Sequence, residues 1–327
     1  MKLLRSVLYT PGHRADLIEK APRAGADALC LVLEDSVPEA LKDEARTIVG
    51  ESVPRLARDG QRVLVKINKP GDGSDAGAGA AGGARAGAER ELGAIVRPGL
   101  AGVIVPGLQR VSELRLVDEL LSAAERAAGL DDGAVRMLLL IETPLAAHFA
   151  FELAVASPRA IGLLAGTAPA GDMARGLGFQ WTAEGLERLY FRSKVLLDAR
   201  AAGLPHPLDG IYGDVKDVDG LVDEARFARQ LGYAGKLVVH PAHVAPVNRV
   251  FTPSEEEVAR ERRVLDAFDR ALAEGLAGVV VDGRFVDYAM AATAHQLIAR
   301  AELAAEADGG RVDDARREAQ ADDAQGR

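Results

Sequence analysis

Short apolar runs that alternate with longer amphipathic stretches constrain the fold of this chain more than any other feature of its sequence. Runs that are apolar on both faces are typical of parallel strands covered by helices. Eight strand–helix repeats within about 250 residues predict an α/β fold of the (β/α)8 TIM-barrel type. A doubly wound sheet is the alternative, but it usually has fewer strands and a Gly-rich fingerprint that this sequence lacks. The runs are LLRSVLY, ALCLVLED, RVLVKIN, GVIVPG, RMLLLIE, AIGLLAG, PLDGIYGD and KLVVHP.

Beyond the eighth run, the sequence predicts an appendage to the barrel. A helix begins with N-cap residues and a first turn of acids. It is followed by a hairpin with a tight turn at Asp282-Gly283 and by a second helix. We therefore assign residues 1–251 to the barrel and residues 252–306 to a C-terminal cap segment. The polar residues 307–327 are expected to form a disordered tail.

One stretch departs from the alternation of runs and helices. Residues 71–87 are a low-complexity Gly/Ala sequence that follows the third run, where a helix is expected. Its composition predicts a flexible loop, and we expect no catalytic role for it.

Charge and composition exclude several classes of protein. A net charge of −9 argues against nucleic acid or an anionic membrane as a partner. Cys30 is the one cysteine, so no intrachain disulfide can form, and its apolar surroundings predict an inert buried thiol. No apolar run approaches the roughly 20 residues of a membrane span, and the first residues do not resemble a signal peptide. We therefore expect a cytoplasmic protein.

Polar residues follow the predicted strands, where active sites of such barrels lie. Several carboxylates around one rim would repel one another, and a hard divalent cation such as Mg²⁺ would relieve the repulsion. The six histidines are scattered and show no zinc-like spacing. The residues concerned are Glu34, Asp35, Lys66, Asn68, Glu142, Asp172, Asp214 and His240.

Each of these residues also has a purely structural interpretation. Glu142 could be a solvated strand-end acid, and Asp172 could cap a helix. Glu34 and Asp35 could bind backbone amides at the barrel mouth. Lys66 could be a solvated strand end. Their shared location favours a functional site over these separate explanations.

Several motifs, in one order along nearly the whole chain, resemble the HpcH/HpaI aldolase and citrate lyase β-subunit family of CoA-ester lyases. The motif GADALCLVLEDSVPEALKDEAR has the Leu-Glu-Asp of that family, followed by a Lys and an Ala-Arg pair. The motif LLLIETP resembles the Ile-Glu-Thr motif of the family, and GDMARGLG resembles its metal-binding Asp loop. The motifs are RSVLYTPGHR, GADALCLVLEDSVPEALKDEAR, LLLIETP, GDMARGLG and GYAGKLVVHPAHVAPVNRVFTPSEEEV.

The resemblance implies a barrel that binds Mg²⁺ through Glu142 and Asp172. It implies cleavage of a carbon–carbon bond in a 3-hydroxyacyl-CoA, such as malyl-, citramalyl- or citryl-CoA, with release of acetyl-CoA and a 2-oxo acid. It also implies a homotrimer or homohexamer in which the C-terminal segment caps a neighbour's site. Asp287 would then act there as the catalytic acid–base group, although capping of the following helix is the alternative.

The resemblance further implies a substrate-binding set. Lys66 stands where the family usually has an Arg that binds the substrate carboxylate, so we expect Lys66 to neutralise that carboxylate and assist catalysis. Glu142, Glu34 and Asp35 complete the predicted set.

Three departures from the family pattern bear on the substrate. Lys66 keeps the charge of the usual Arg but loses its bidentate fork. Pro106 is followed by Gly107 where the family usually has Lys. The loop before Asp172, GTAPAGD, is longer than the usual Gly-x-x-Asp. Three other functions therefore remain open, namely a malyl-CoA-type thioesterase, an aldolase of free hydroxy-oxo acids, and a non-catalytic binding or complex subunit.

Overall fold

A computed structural model describes residues 3–70 and 80–325 of the chain. The chain divides into two compact units, one of Leu4–Asn248 and one of Arg249–Arg327 with the first three residues. The boundary that we predicted after residue 251 coincides with the end of a helix, Val244–Phe251, which runs across the division.

The larger unit is a closed barrel of eight parallel strands, which confirms the predicted fold. Each strand pairs with its neighbour in the sequence, and β1 closes the barrel against β8 through pairs such as Val7 with Leu237. The strands are β1 Ser6–Pro11, β2 Ala28–Val32, β3 Val63–Lys66, β4 Leu100–Val105, β5 Arg136–Ile141, β6 Ala160–Ala165, β7 Leu208–Asp209 and β8 Gly235–Val238.

Helices connect the strands, as the amphipathic stretches predict. Their apolar residues are spaced at three and four positions, which places them on one face. In the helix that follows β4, for example, the buried positions include Leu114, Val117 and Leu121. The helices of this unit are α1 Ala15–Lys20, α2 Lys42–Arg58, α3 Ala80–Ile95, α4 Val111–Ala127, α5 Pro144–His148, α6 Ala150–Val155, α7 Asp172–Leu177, α8 Leu186–Ala201 and α9 Val218–Leu231.

The interior of the barrel is filled by every second residue of its strands, because successive side chains of a strand point to opposite faces. On β5, Leu138 and Leu140 belong to this core, and on β2 Cys30 and Val32 do so. Burial raises the pKa of the Cys30 thiol to about 12, which agrees with the inert thiol that the sequence predicts.

A buried ion cluster joins β7 and β8 to the helices outside them. The Asp209 carboxylate accepts hydrogen bonds from Arg192 over 3.0 and 3.1 Å and from Lys236 over 2.6 Å. Lys236 also donates to Glu224 over 2.7 Å, and Glu224 pairs with Arg188. All five side chains are buried, so their charges depend on one another rather than on solvent.

The smaller unit consists of two helices and a two-stranded hairpin. Residues Asp282 and Gly283 both have positive φ angles, 49° and 76°, which is the tight turn that the sequence predicts. Ser254 caps the helix that begins at Glu255, in a capping box with Glu257, which agrees with the helix start predicted here. After α10 Val244–Phe251, the elements are α11 Glu255–Ala273, β9 Val279–Val281, β10 Arg284–Val286 and α12 Tyr288–Gln325.

Two expectations for flexible segments differ from the structure. In the Gly/Ala stretch, residues 71–79 lie outside the described residues, but α3 begins at Ala80, so a helix replaces the second half of the predicted loop. The predicted disordered tail is helical as far as Gln325. Both segments are rich in alanine, and the tail adds several arginines; both residue types have high helix propensity. Among the described residues, no helix is both long and apolar enough to cross a lipid bilayer.

Candidate active site

The inward-facing positions of three strands become polar at or just beyond the carboxyl end of each strand. Glu142 follows Leu138 and Leu140, Glu34 follows Val32 at the end of β2, and Lys66 is the last residue of β3. Because inward positions recur every two residues, these three charged side chains form the top layer of the barrel interior. They are buried or half-buried rather than solvated.

Two glycines make room above this layer. A Cβ atom on Gly166 would lie 2.6 Å from the Cβ of Glu142, and one on Gly210 would lie 2.5 Å from the Ala165 carbonyl oxygen. The cavity left there has a volume of about 320 Å³. Its wall includes Tyr9, Asp35, Lys66, Lys69, Glu142, Thr167, Asp172, Arg175 and Ile211.

Lys66 and Glu34 form an ion pair at the floor of the cavity. The Lys66 ammonium contacts Oε2 of Glu34 and lies 3.4 Å from Oδ2 of Asp35. Burial raises the pKa of Glu34 to about 7, although the Lys66 charge opposes this rise. Burial by itself would lower the pKa of Lys66, but the nearby carboxylates outweigh it and raise the pKa. Lys66 therefore stays protonated and keeps its positive charge in the site.

Glu142 is fixed by the backbone of the neighbouring strand. Its Oε1 accepts a hydrogen bond from the Gly107 amide over 2.8 Å. Burial raises the pKa of Glu142, and the Lys66 charge and the Gly107 hydrogen bond oppose that rise. Because only Oε1 is engaged by Gly107, Oε2 can face a ligand.

Asp172 is the first residue of α7, and Gly171 is the N-cap, so the capping alternative does not hold for Asp172. Its Oδ2 accepts a hydrogen bond from Lys69 over 2.7 Å, and its Oδ1 contacts Arg175. Burial raises the pKa of Asp172, but these two cations outweigh burial and lower it. Asp172 is therefore ionised at neutral pH.

Other residues hold the strand ends in place. The Lys42 ammonium donates to the carbonyl oxygens of Leu33 and Glu34 over 3.0 and 3.3 Å, and contacts Oδ1 of Asn68. The Asn68 amide in turn donates to Glu91 over 2.7 Å. These contacts tie the end of β2 to the end of β3, and they give the Lys of the second motif a positioning role.

Two buried hydroxyls in the cavity wall are unsatisfied. Within the described residues, Tyr9 Oη and Thr167 Oγ1 have no hydrogen-bond partner. Burial raises the pKa of Tyr9 well above its ordinary value, so this hydroxyl keeps its proton and can donate. An unsatisfied buried hydroxyl costs about 1–3 kcal/mol, and a ligand with oxygen atoms would remove that cost.

The residues that the sequence singled out do not all meet here. The structure brings Asp35, Lys66, Glu142 and Asp172 to the wall of one cavity, and Glu34 pairs with Lys66 of that wall. Asp287 belongs to the smaller unit, where its Oδ1 accepts hydrogen bonds from the Ala289 and Met290 amides over 2.9 and 3.2 Å. That is a helix-capping contact, and the catalytic role of Asp287 stays a prediction.

Two further strand-end candidates make local contacts of their own. Asp214 accepts hydrogen bonds from the amides of Lys216 and Asp217, and His240 accepts one from the amide of Ala242. Neither residue is part of the wall of the 320 Å³ cavity.

Sequence reasoning missed Lys69. Its side chain passes over Gly107, where a Cβ atom would lie 2.7 Å from Cγ of Lys69. The absence of a side chain at Gly107 is visible in the sequence, but the residue that fills the space comes from the loop after β3. No local pattern could have shown this pairing.

The donor set of the cavity fits a hard cation. Glu142 and Asp172 offer carboxylate oxygens on neighbouring strand ends, and Mg²⁺ is often held by one or two carboxylates with water and substrate oxygens. In the described part of the chain, no three His, Cys, Asp or Glu side chains cluster as a metal site. The arrangement is therefore suited to a cation that completes its shell with substrate oxygens, not to a structural metal.

The sequence of this chain is similar to those of known proteins over most of its length. The sequence model of the HpcH/HpaI aldolase/citrate lyase family matches residues 5–241. Citrate lyase subunit beta of Escherichia coli K12 is 32% identical over 299 residues, which cover 91% of this chain and 93% of that protein. The (3S)-malyl-CoA thioesterase of Cereibacter sphaeroides is 32% identical over 301 residues, 92% of this chain and 95% of that protein.

A solved structure is similar over most of its length. Protein CitE from Mycobacterium tuberculosis, in complex with magnesium, acetoacetate and coenzyme A, superposes with a TM-score of 0.69 at 28% sequence identity. The match covers 92% of this chain and 98% of that one.

Proposed function

The chain belongs to the HpcH/HpaI aldolase/citrate lyase family of carbon–carbon lyases, and from this premise we propose that it is a Mg²⁺-dependent CoA-ester lyase. Its substrate would be a 3-hydroxyacyl-CoA such as malyl-, citramalyl- or citryl-CoA, which it splits into acetyl-CoA and a 2-oxo acid. The observation that carries the proposal is the meeting of Glu142, Asp172 and Lys66 in one cavity at the carboxyl end of the barrel.

The relatives support the cofactor and the substrate class. CitE of Mycobacterium tuberculosis binds magnesium, acetoacetate and coenzyme A. In this chain, Glu142 and Asp172 would hold Mg²⁺, since both carboxylates face the cavity and Oε2 of Glu142 is not used by Gly107. When bound, Mg²⁺ would act as a Lewis acid on substrate oxygen atoms near the carbon–carbon bond that breaks, and it would neutralise the negative charge that develops on them.

The residues of the chain then have separate tasks. Lys66, kept protonated by its acidic neighbours, neutralises the substrate carboxylate. Tyr9 and Thr167 donate hydrogen bonds to substrate oxygens and so orient the substrate. Glu34 and Asp35 hold Lys66 toward the cavity.

Carbon–carbon cleavage also needs a group that handles two protons in turn. The substrate hydroxyl loses its proton as the bond breaks, and the methyl carbon of acetyl-CoA gains one. In the reverse direction, a base removes the proton next to the thioester. We assign this role to Asp287 of a neighbouring subunit in a homotrimer or homohexamer. The helix cap that Asp287 makes uses Oδ1, which leaves Oδ2 for proton transfer.

A thioesterase is the second candidate function. The malyl-CoA thioesterase of Cereibacter sphaeroides is as similar to this chain as citrate lyase subunit beta is, at 32% identity in both cases. Overall similarity therefore does not separate the two reactions. The departures at Lys66, which lines the cavity, and at Gly107, whose amide donates to Glu142, are consistent with either reaction.

Product analysis separates the candidates. The purified protein would be incubated with malyl-, citramalyl- and citryl-CoA, with and without Mg²⁺, and the products identified by mass spectrometry. A lyase gives acetyl-CoA with glyoxylate, pyruvate or oxaloacetate, and only with Mg²⁺. A thioesterase gives free CoA and the intact hydroxy acid. Glu142→Ala is the matched control, and 2-oxo acid that still forms at the wild-type rate in this variant would contradict the proposal.

A further inference from the structure

Both carboxylate oxygens of Asp172 are occupied by cationic side chains. Lys69 lies 2.7 Å from Oδ2, and Arg175 contacts Oδ1. The two cations differ in their surroundings, because the Lys69 side chain is 28% exposed and that of Arg175 is 67% exposed. Lys69 is thus the more enclosed partner on the cavity side of Asp172.

The path of the Lys69 side chain depends on Gly107. A Cβ atom on Gly107 would lie 2.7 and 2.8 Å from Cγ and Cδ of Lys69, so any larger residue there would push the lysine aside. Gly107 also has a φ angle of +64°, which other residues adopt at a cost. The ammonium group that this path delivers also reaches within 4.0 Å of Oε1 of Glu34. Lys69 is therefore held among the acids of the site by packing as well as by charge.

A divalent cation bound at Oδ2 of Asp172 would compete with the Lys69 ammonium for that oxygen, because two positive charges in contact with one carboxylate oxygen repel each other in a partly buried site. Metal binding there would therefore favour movement of the ammonium away from Asp172. The stem of Lys69 remains packed on Gly107, so the displaced ammonium stays inside the cavity. It then needs another anion, and the carboxylate of a bound acid can supply it.

We propose that Lys69 couples metal binding to the binding of an anionic 2-oxo or 3-hydroxy acid. It competes with the metal for Asp172 and, once displaced, pairs with the carboxylate of the acid. This inference rests on the proposed function, since it takes Asp172 as a metal ligand. Under this proposal, Lys69 weakens the binding of the metal ion and strengthens the binding of the acid. A salt bridge with only a structural role would not have these two opposite effects.

The test measures two binding constants on the full-length protein, without turnover. Mn²⁺, a paramagnetic substitute for Mg²⁺, is titrated by electron paramagnetic resonance, and pyruvate is titrated by calorimetry at saturating Mn²⁺. Lys69→Met keeps the length of the side chain without its charge, and Lys69→Gln is a second variant in case the first folds poorly. Lys194→Met, at a partly buried lysine that pairs with Asp198 on α8, is the matched control.

For either Lys69 variant we expect Mn²⁺ to bind at least about 5-fold more tightly in the absence of pyruvate, because a competitor is gone. We expect pyruvate to bind about 10-fold more weakly in the presence of Mn²⁺, because a charge partner is gone. The control should change neither constant. Unchanged or weaker Mn²⁺ binding in both Lys69 variants, or unchanged pyruvate binding, would overturn the inference alone. A wild-type protein that binds no Mn²⁺ would overturn the metal assignment and this inference together.

Discussion

The backbone amide of Gly107 donates a hydrogen bond to Oε1 of Glu142 over 2.8 Å, and so joins the end of β4 to the end of β5. The contact orients the Glu142 carboxylate, and it uses only the backbone of the neighbouring segment, not a side chain. Glu142 thus lines the cavity with one of its two carboxylate oxygens engaged by the backbone.

Glu142→Ala and Asp172→Ala should each lower Mg²⁺-dependent turnover by roughly 100-fold or more, because each removes one of the two protein ligands that we propose for the metal. The fold should persist, since neither side chain is part of the apolar core of the barrel. Steady-state assays over a Mg²⁺ series and circular dichroism measure the two outcomes. Asp214→Ala, an acid outside the cavity wall, is the control. Wild-type activity at limiting Mg²⁺ in either variant would show that the assignment is wrong.

Lys66→Met should raise KM for the acyl-CoA about 10-fold, because it removes the charge-assisted contact that we propose with the substrate carboxylate. Lys66→Arg keeps the charge and should recover much of the loss, provided that the cavity admits the wider guanidinium group. Initial-rate measurements over a substrate series give both constants. An unchanged KM in Lys66→Met would mean that the substrate carboxylate binds elsewhere.

Glu34 should make the stability of the protein depend on pH. Its pKa is about 7 in the fold, against 4.5 for an ordinary glutamate, so the folded state holds a proton that the unfolded state has lost between these values. Stability therefore falls as pH rises from about 4.5 to 7, by roughly 1–3 kcal/mol. Denaturant titrations at several pH values measure the slope. In Glu34→Gln that part of the slope should vanish, and an unchanged slope would assign it to other groups.

Asp209→Asn should lower the free energy of unfolding by about 3–5 kcal/mol, because it leaves the buried charges of Arg192 and Lys236 without their shared counterion. These cations also lower the pKa of Asp209 against the effect of burial. Its contribution is thus present above the ordinary carboxyl range and is lost as pH falls below it. Urea titration measures the change. Asp223→Asn, in an exposed pair with Arg226, should cost less than about 1 kcal/mol.

Asp287 should act in the active site of a neighbouring subunit. Glu142→Ala and Asp287→Ala proteins, each inactive alone, would be mixed after mild dissociation and allowed to reassociate. Hybrids then contain some sites with both acids intact, so activity should partly return. No recovery, with hybrid formation confirmed by native mass spectrometry, would place Asp287 in its own subunit's site or outside catalysis.

The sequence was sufficient to predict the barrel because each strand is a separate apolar run. The inward position of Glu142 also follows from simple alternation with Leu138 and Leu140. Lys69 escaped prediction because its partner, Asp172, is 103 positions away and only the closed barrel brings the two together.

The helical segments were missed for a different reason. The composition of the first part of α3 and of the last part of α12 suggested flexible segments, but alanine also has a high helix propensity, and both segments are helical. Local composition alone does not decide between these outcomes. The limits of the sequence therefore lie at long-range pairs and at segments of ambiguous composition, while the eight strands of the barrel were predicted correctly.

The two glycines above the top layer have a consequence for how this enzyme can evolve. At Gly166 and Gly210, even an alanine methyl group would collide with fixed parts of the barrel, the Cβ of Glu142 and the carbonyl oxygen of Ala165. No single substitution at these two positions can line the chamber with a new side chain while the strands keep their places. Changes of substrate in this lineage should therefore arise through the loop residues, such as Thr167 and Lys69, and an engineer who wants a different acyl group should randomise those positions first.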